Sequence, residues 1–164
     1  MSEEILRVAD CDLSHIRSLL GRFKLQLHLT QDNNDIPGSY WGDSEAGLVS
    51  NKVYVRQDTP IHSLLHETCH YICMDDKRRR ELDTNAEGDY DEENGVCYLQ
   101  ILLADDIPEM GRKRMMLDMD RWGYTFRLGS AENWFINDSA DTLDWLTEYK
   151  LLATPYEPNY TLRA

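Results

Sequence analysis

Between Asp12 and Phe23 apolar residues recur at Leu13, Ile16, Leu19 and Leu20, the three-to-four spacing of one face of an amphipathic helix. Asp12 is placed to cap that helix and Gly21 falls near its end. "LQLHLT" at 25–30 switches to strict alternation, the period of a half-buried strand, and puts His28 on the polar side. Loops rich in Gly, Asp and Asn bracket "SYWGD". "GLVSNKVYVRQ" then predicts a second strand, with Val53 and Val55 on one face and Lys52, Tyr54 and Arg56 on the other. Thr59-Pro60 marks a helix start, Thr59 as N-cap and Pro60 at the first helical position, and this helix runs to about Met74. A polar loop at 83–91 leads to a second, buried helix from about Glu92 to Ala104. "GRKRMMLDMDRW" and "AENWFINDSADTLDWLTEYKLL" read as two further amphipathic helices joined by "GYTFRLGS". The tail "ATPYEPNYTLRA", with two prolines, is expected to lie over the surface. A helix, then strands, then helices predict an α+β fold, with a small antiparallel sheet packed on a helix pair and additional C-terminal helices.

The chain of 164 residues fits a single domain, 1–164, and is long enough to bury a core without disulfide or metal staples. A net charge of -13 argues against nucleic acid or anionic lipid as partner, because both require basic surface. The basic run "KRRR" at 77–80 reads as a solvated helix end whose cations offset the helix dipole. No apolar run reaches membrane-spanning length, and "MSEEILRVAD" lacks the basic-then-apolar signal pattern. Cys11, Cys69, Cys73 and Cys97 are too sparse for a secreted disulfide framework. A cytoplasmic location is therefore expected.

The chemistry lies in "IHSLLHETCHYIC" at 61–73, where His62, His66 and His70 stand four apart. Residues at that spacing on a helix are neighbours, about 5–6 Å apart at Cβ, so two imidazoles can share one ion. His62 and His70 are about 12 Å apart along the axis, so the three cannot ligate together. His66-Glu67-Thr68-Cys69-His70 has the order H-E-x-x-H, in which the glutamate can orient and deprotonate a water on a zinc ion. The His62/His66 pair offers only Ser63 at that place. His66 and His70 are therefore the expected ligands and Glu67 the expected base, while His62 lines the cleft, contacts the groups that surround the ligands, or is a partly exposed histidine. Cys69 and Cys73 are read as thiols lining the core, although Cys73 could serve as a soft ligand.

A catalytic zinc takes three protein ligands and keeps a fourth position open. Two carboxylates compete for the third place. If Asp89 caps the second helix, Glu92 falls at its third position and forms a capping-box-like pair. At 100° per residue Glu93 shares a strip with Val96, Cys97, Gln100 and Ala104, small enough on the whole for close helix approach. Glu92 lines up with Leu99 and Leu103. Glu93 is preferred and Glu92 is the alternative.

With "HETCH" at 66–70 and Glu93 on the following helix, the pattern resembles the gluzincin metallopeptidases, including the minimal ImmA/IrrE-like regulatory proteases. The resemblance covers roughly residues 50 to 104. It implies a zinc-dependent endopeptidase acting on a peptide or protein substrate. Zn2+ would be held by His66, His70 and Glu93, and Glu67 would activate water and pass its proton to the leaving amine. It also implies that "NKVYVRQ" is the edge strand along which an extended substrate pairs. The chain departs from the family pattern at Cys97, where many gluzincins carry an acid that braces a ligand histidine, which leaves the bracing partner unassigned. Tyr124, with Arg127 nearby, is the candidate for stabilising the oxyanion. The alternative function is a metal-binding regulatory or interaction module without turnover. The sequence sets no oligomeric state.

Overall fold

A computed structural model describes residues 4–39, 43–82 and 88–164. Helix α1 (Leu13–Gly21) starts at Asp12, whose carboxylate accepts the Ser14 N–H as expected. Strand β1 (Gln26–Leu29) follows. The stretch that reads as one second strand is a hairpin, β2 (Gly47–Val49) and β3 (Lys52–Val55). Its two-residue turn holds Ser50 at φ 55°, the left-handed conformation that tight hairpin turns demand. The order is β1-β3-β2, with β2–β3 antiparallel and β1–β3 parallel. The α+β class is as expected, but the sheet is mixed rather than antiparallel.

That order also corrects the substrate-edge expectation. β3, the core of "NKVYVRQ", is the central strand, and both of its sides are already paired. The outer strands are β1 and β2. Pro37–Ser39 approaches β2 so closely that a Cβ on Gly47 would lie 1.9 Å from the Pro37 carbonyl oxygen, so only glycine fits there.

Helix α2 (Ile61–Cys73) begins one residue later than predicted, with Pro60 at the N-cap. The Thr59 hydroxyl is used otherwise, accepting the Arg56 N–H at 2.9 Å. The short α3 (Asp76–Arg80) contains the basic run. It is not a uniformly solvated end, because Arg79 is buried and donates to the Tyr71, Ile72 and Met74 carbonyls. These carbonyls at the end of α2 lack intrahelical partners, so the cation satisfies them directly. Helix α4 (Tyr90–Leu103) is capped by Asp89, which accepts the Glu92 N–H.

Then follow α5 (Gly111–Trp122), α6 (Ala131–Asn137) and α7 (Ala140–Glu148). The last two were expected as one helix. The chain breaks at Asp138-Ser139, where the Ser139 hydroxyl bonds back to the Phe135 carbonyl at 2.6 Å, a side-chain bond that competes with helix continuation. The tail forms a two-stranded ribbon, β4 (Leu152–Thr154) and β5 (Glu157–Pro158), and then docks. The Arg163 N–H bonds the Ile72 carbonyl at 3.0 Å.

One hydrophobic cluster takes in residues from Leu6 to Leu151. Within it α2 is packed on most of its circumference, and α4 lies against it. Gly95 lets α7 close on the other side of α4, since a Cβ there would stand 2.8 Å from the Trp145 ring. Among the described residues no helix is long and apolar enough to cross a membrane.

Candidate metal centre

Helix α2 buries His62 and His70 at 1% and 4% exposure. Polar rings in an apolar core are unfavourable unless hydrogen-bonded or ligating. One helical turn brings the Nε2 atoms of His66 and His70 within 3.1 Å of each other. Donor atoms of His66, Glu67 and His70 all lie within 4.8 Å of one another. From α4, Glu93 Oε1 stands 3.5 Å from His70 Nε2. Its other oxygen accepts the Gly88 N–H at 3.0 Å, which fixes the direction of the carboxylate. The helical phase that favoured Glu93 places it beside His70, while the tight donor cluster of the site is His66, Glu67 and His70.

Glu92 has gone elsewhere. It is 3% exposed, and its Oε1 accepts from Arg78 at 2.6 Å and from Arg163 at 3.2 Å. Its neighbours are cations at the far end of α2, where a metal ion would be repelled.

Burial pushes the His66 imidazole below its ordinary pKa, opposed by the hydrogen bond to Gln100. Burial, then the neighbouring His66 and Arg7, pushes His62 down to about 3. Both are therefore neutral near pH 7, and neutral imidazole is the ligating form. Cys69 and Cys73 are fully buried and burial holds their thiols well above the ordinary value, as it does Cys97, at about 12. Metal ligation requires the thiolate, so these environments favour core thiols, Cys73 included.

Gln100 was seen in the sequence only as part of the strip facing α2. Its Oε1 stands 2.8 Å from His66 Nδ1, where a hydrogen-bond acceptor orients the ring. The signal was its position, two turns after Glu93 on the same face. Tyr124 packs its ring edge-on to His66 at 5.6 Å. Its hydroxyl lies 3.3 Å from Gln100 Nε2 and 3.1 Å from His62 Nδ1, so it is engaged with Gln100 and His62. Arg127 pairs with Asp138 at 3.0 Å, and these contacts give it no place in the centre. His62 is not partly exposed, and its ring packs against Trp122 at 5.0 Å. His28, expected at the surface, is half-buried beside the Tyr54 ring.

No protein-family model, no curated protein and no solved structure matches this chain.

The donor set can be tested against an ion's requirements. Two zinc bonds of about 2.0–2.1 Å at the tetrahedral angle separate their donor atoms by about 3.3 Å. The separations of 3.1 Å between the histidine nitrogens and 3.5 Å from His70 to Glu93 straddle that edge length. Two nitrogens and one carboxylate oxygen form a donor set that suits zinc, and the two separations at His70 fit it.

Proposed function

We infer that the protein is a zinc-dependent peptide hydrolase, with His66, His70 and Glu93 as ligands and Glu67 as the proton carrier. The observation that carries this reading is that His70 Nε2 stands 3.1 Å from His66 Nε2 and 3.5 Å from Glu93 Oε1. A carboxylate from the same helical turn stands within 4.8 Å of both histidines. A bound zinc ion supplies Lewis acidity, which polarises a scissile carbonyl and lowers the pKa of water toward about 7.

Glu67 is partly exposed, so its carboxylate can meet both solvent and a bound peptide. It takes a proton from the water whose oxygen attacks the scissile carbonyl carbon. It then delivers that proton to the amide nitrogen as the C–N bond breaks. The neutral His66 ring and the fixed Glu93 carboxylate hold their positions while charge develops on the carbonyl oxygen. The net charge of -13 favours a substrate segment with basic residues over an acidic one.

Glu67→Gln keeps the shape and removes the base. Wild-type protein is expected to carry equimolar zinc and to cleave a peptide library. The variant should retain the zinc and lose cleavage by at least about a hundredfold, the low end of general-base contributions. Equal cleavage by both proteins would overturn the mechanism. Zinc in both with cleavage by neither would point to the non-catalytic metal module.

A further inference from the structure

His62 is the third member of the histidine row, and the reaction above gives it no part. Its carbonyl and its ring both touch the network around Gln100, so one side-chain amide links two imidazoles four residues apart. The Gln100 Nε2 lies 2.9 Å from the His62 carbonyl oxygen. A carbonyl only accepts, so the amide nitrogen must face it, and turning the amide over would set two oxygens against each other. Gln100 Oε1 is thereby aimed at His66 Nδ1, 2.8 Å away. An acceptor at that distance requires the proton on Nδ1, which leaves the His66 Nε2 lone pair directed toward His70.

The second amide hydrogen of Gln100 is shared between the Tyr124 hydroxyl at 3.3 Å and the Met115 sulfur, the weaker acceptor, at 3.6 Å. Tyr124 is then an acceptor from Gln100. Its own hydrogen has one acceptor within reach in this network, His62 Nδ1 at 3.1 Å. A neutral imidazole carries one proton, so that of His62 sits on Nε2, which has no hydrogen-bond partner among the described residues. Within this network the Tyr124 hydrogen finds an acceptor only when the two rings take opposite tautomers.

We propose that Gln100, Tyr124 and His62 form a positioning relay that holds His66 as the Nδ1–H tautomer, its lone pair turned to the ion, while holding His62 as Nε2–H. Gln100 acts on His66 directly. The His62 carbonyl locks the amide, and Tyr124 carries its orientation to the His62 ring. This rests on the metal reading for its purpose, but the tautomers themselves belong to the metal-free protein. An outer partner that fixes a ligand histidine typically contributes about 10–100-fold in metal affinity.

Long-range 1H–15N correlation spectra of the metal-free protein at pH 7 read the tautomer of each ring. Wild-type protein should show His66 as Nδ1–H and His62 as Nε2–H. His66 found as Nε2–H, or His62 as Nδ1–H, overturns the relay. Tyr124→Phe removes the hydroxyl alone. It should leave His66 as Nδ1–H and let His62 populate both tautomers, and a His62 that keeps a single tautomer there overturns Tyr124's part. Gln100→Leu should weaken zinc binding by about 10–100-fold and release the His66 tautomer in the metal-free spectra. A His66 that stays wholly Nδ1–H in this variant overturns Gln100's part. If the tautomers are as stated and wild-type protein takes no zinc, the metal reading fails and the relay stands.

Discussion

Glu92 and Glu93 are adjacent on α4 and do opposite work, Glu92 holding arginines of α3 and the tail and Glu93 facing α2. At the clamp, Glu92 is 3% exposed and sits between Arg78 and Arg163. At the candidate metal centre, Glu93 has 35% of its side chain exposed and faces His70. The difference lies in the helix period: a step of about 100° turns one carboxylate toward the end of α2, where Arg79 and Arg163 satisfy terminal carbonyls, and the other toward its histidines. A charge whose partners are fixed cations is structural, whereas one beside an imidazole nitrogen could share an ion with it.

The largest expected effect separates these two roles. Glu92→Ala strands two arginines, one of them largely buried, and breaking a buried ion pair from one side costs about 3–5 kcal/mol. Glu93→Ala should change the stability of the metal-free protein by less than about 1 kcal/mol and abolish tight zinc binding. Urea denaturation of the metal-free proteins, paired with zinc titration, checks both. A Glu92→Ala protein as stable as wild type, or a Glu93→Ala protein that still binds zinc tightly, breaks the division of labour.

Acid should loosen the metal end through its imidazoles. His62 has a folded-state pKa of about 3 against an ordinary 6.5, so the unfolded chain binds the proton more readily. Its contribution to stability is fully present above pH 6.5 and is lost as pH falls toward 3. By pH 5 the loss from this group is about 2 kcal/mol, and His66, lowered by the same cause, acts in the same direction. Denaturation of the metal-free protein at pH 7.5 and 5 measures it. In His62→Leu the slope with pH should flatten, and an unchanged slope would assign the acid sensitivity to other groups.

The smallest effect lies within the clamp. The Arg78 side chain is 35% exposed, while that of Arg163 is 16% exposed and also reaches the Cys73 carbonyl and the Tyr149 ring. Arg78→Ala should cost no more than about 1 kcal/mol, the range of exposed ion pairs, and Arg163→Ala more than that. The reverse order would show that the clamp is held from its solvent side.

Features set by local spacing were legible in the sequence. The histidine turn, the Asp12 and Asp89 caps and the phase that favoured Glu93 all follow from the helix period and from side chains reaching their own backbone. What was not legible depends on residues far apart in the chain. Nothing near Arg79 says that it enters the core, because what it satisfies is the end of a preceding helix together with a tail carbonyl. β3 reads as an edge strand until β1, from the other side of a long loop, is seen paired to it. Gln100 could be placed on the right face but not given a role, because its partners belong to α2 and to Tyr124. The turn at Ser50 was hidden for a local reason, a serine in a conformation that usually signals glycine or asparagine.

Arg163 and Cys73, which the clamp joins, are 90 positions apart. During synthesis α2 and α4 leave the ribosome well before the residue that fastens them, so Glu92 waits for Arg163 with only Arg78 beside it. The helix pair can collapse early, but the Cys73 carbonyl at the end of α2 gains its Arg163 donor only when the tail arrives.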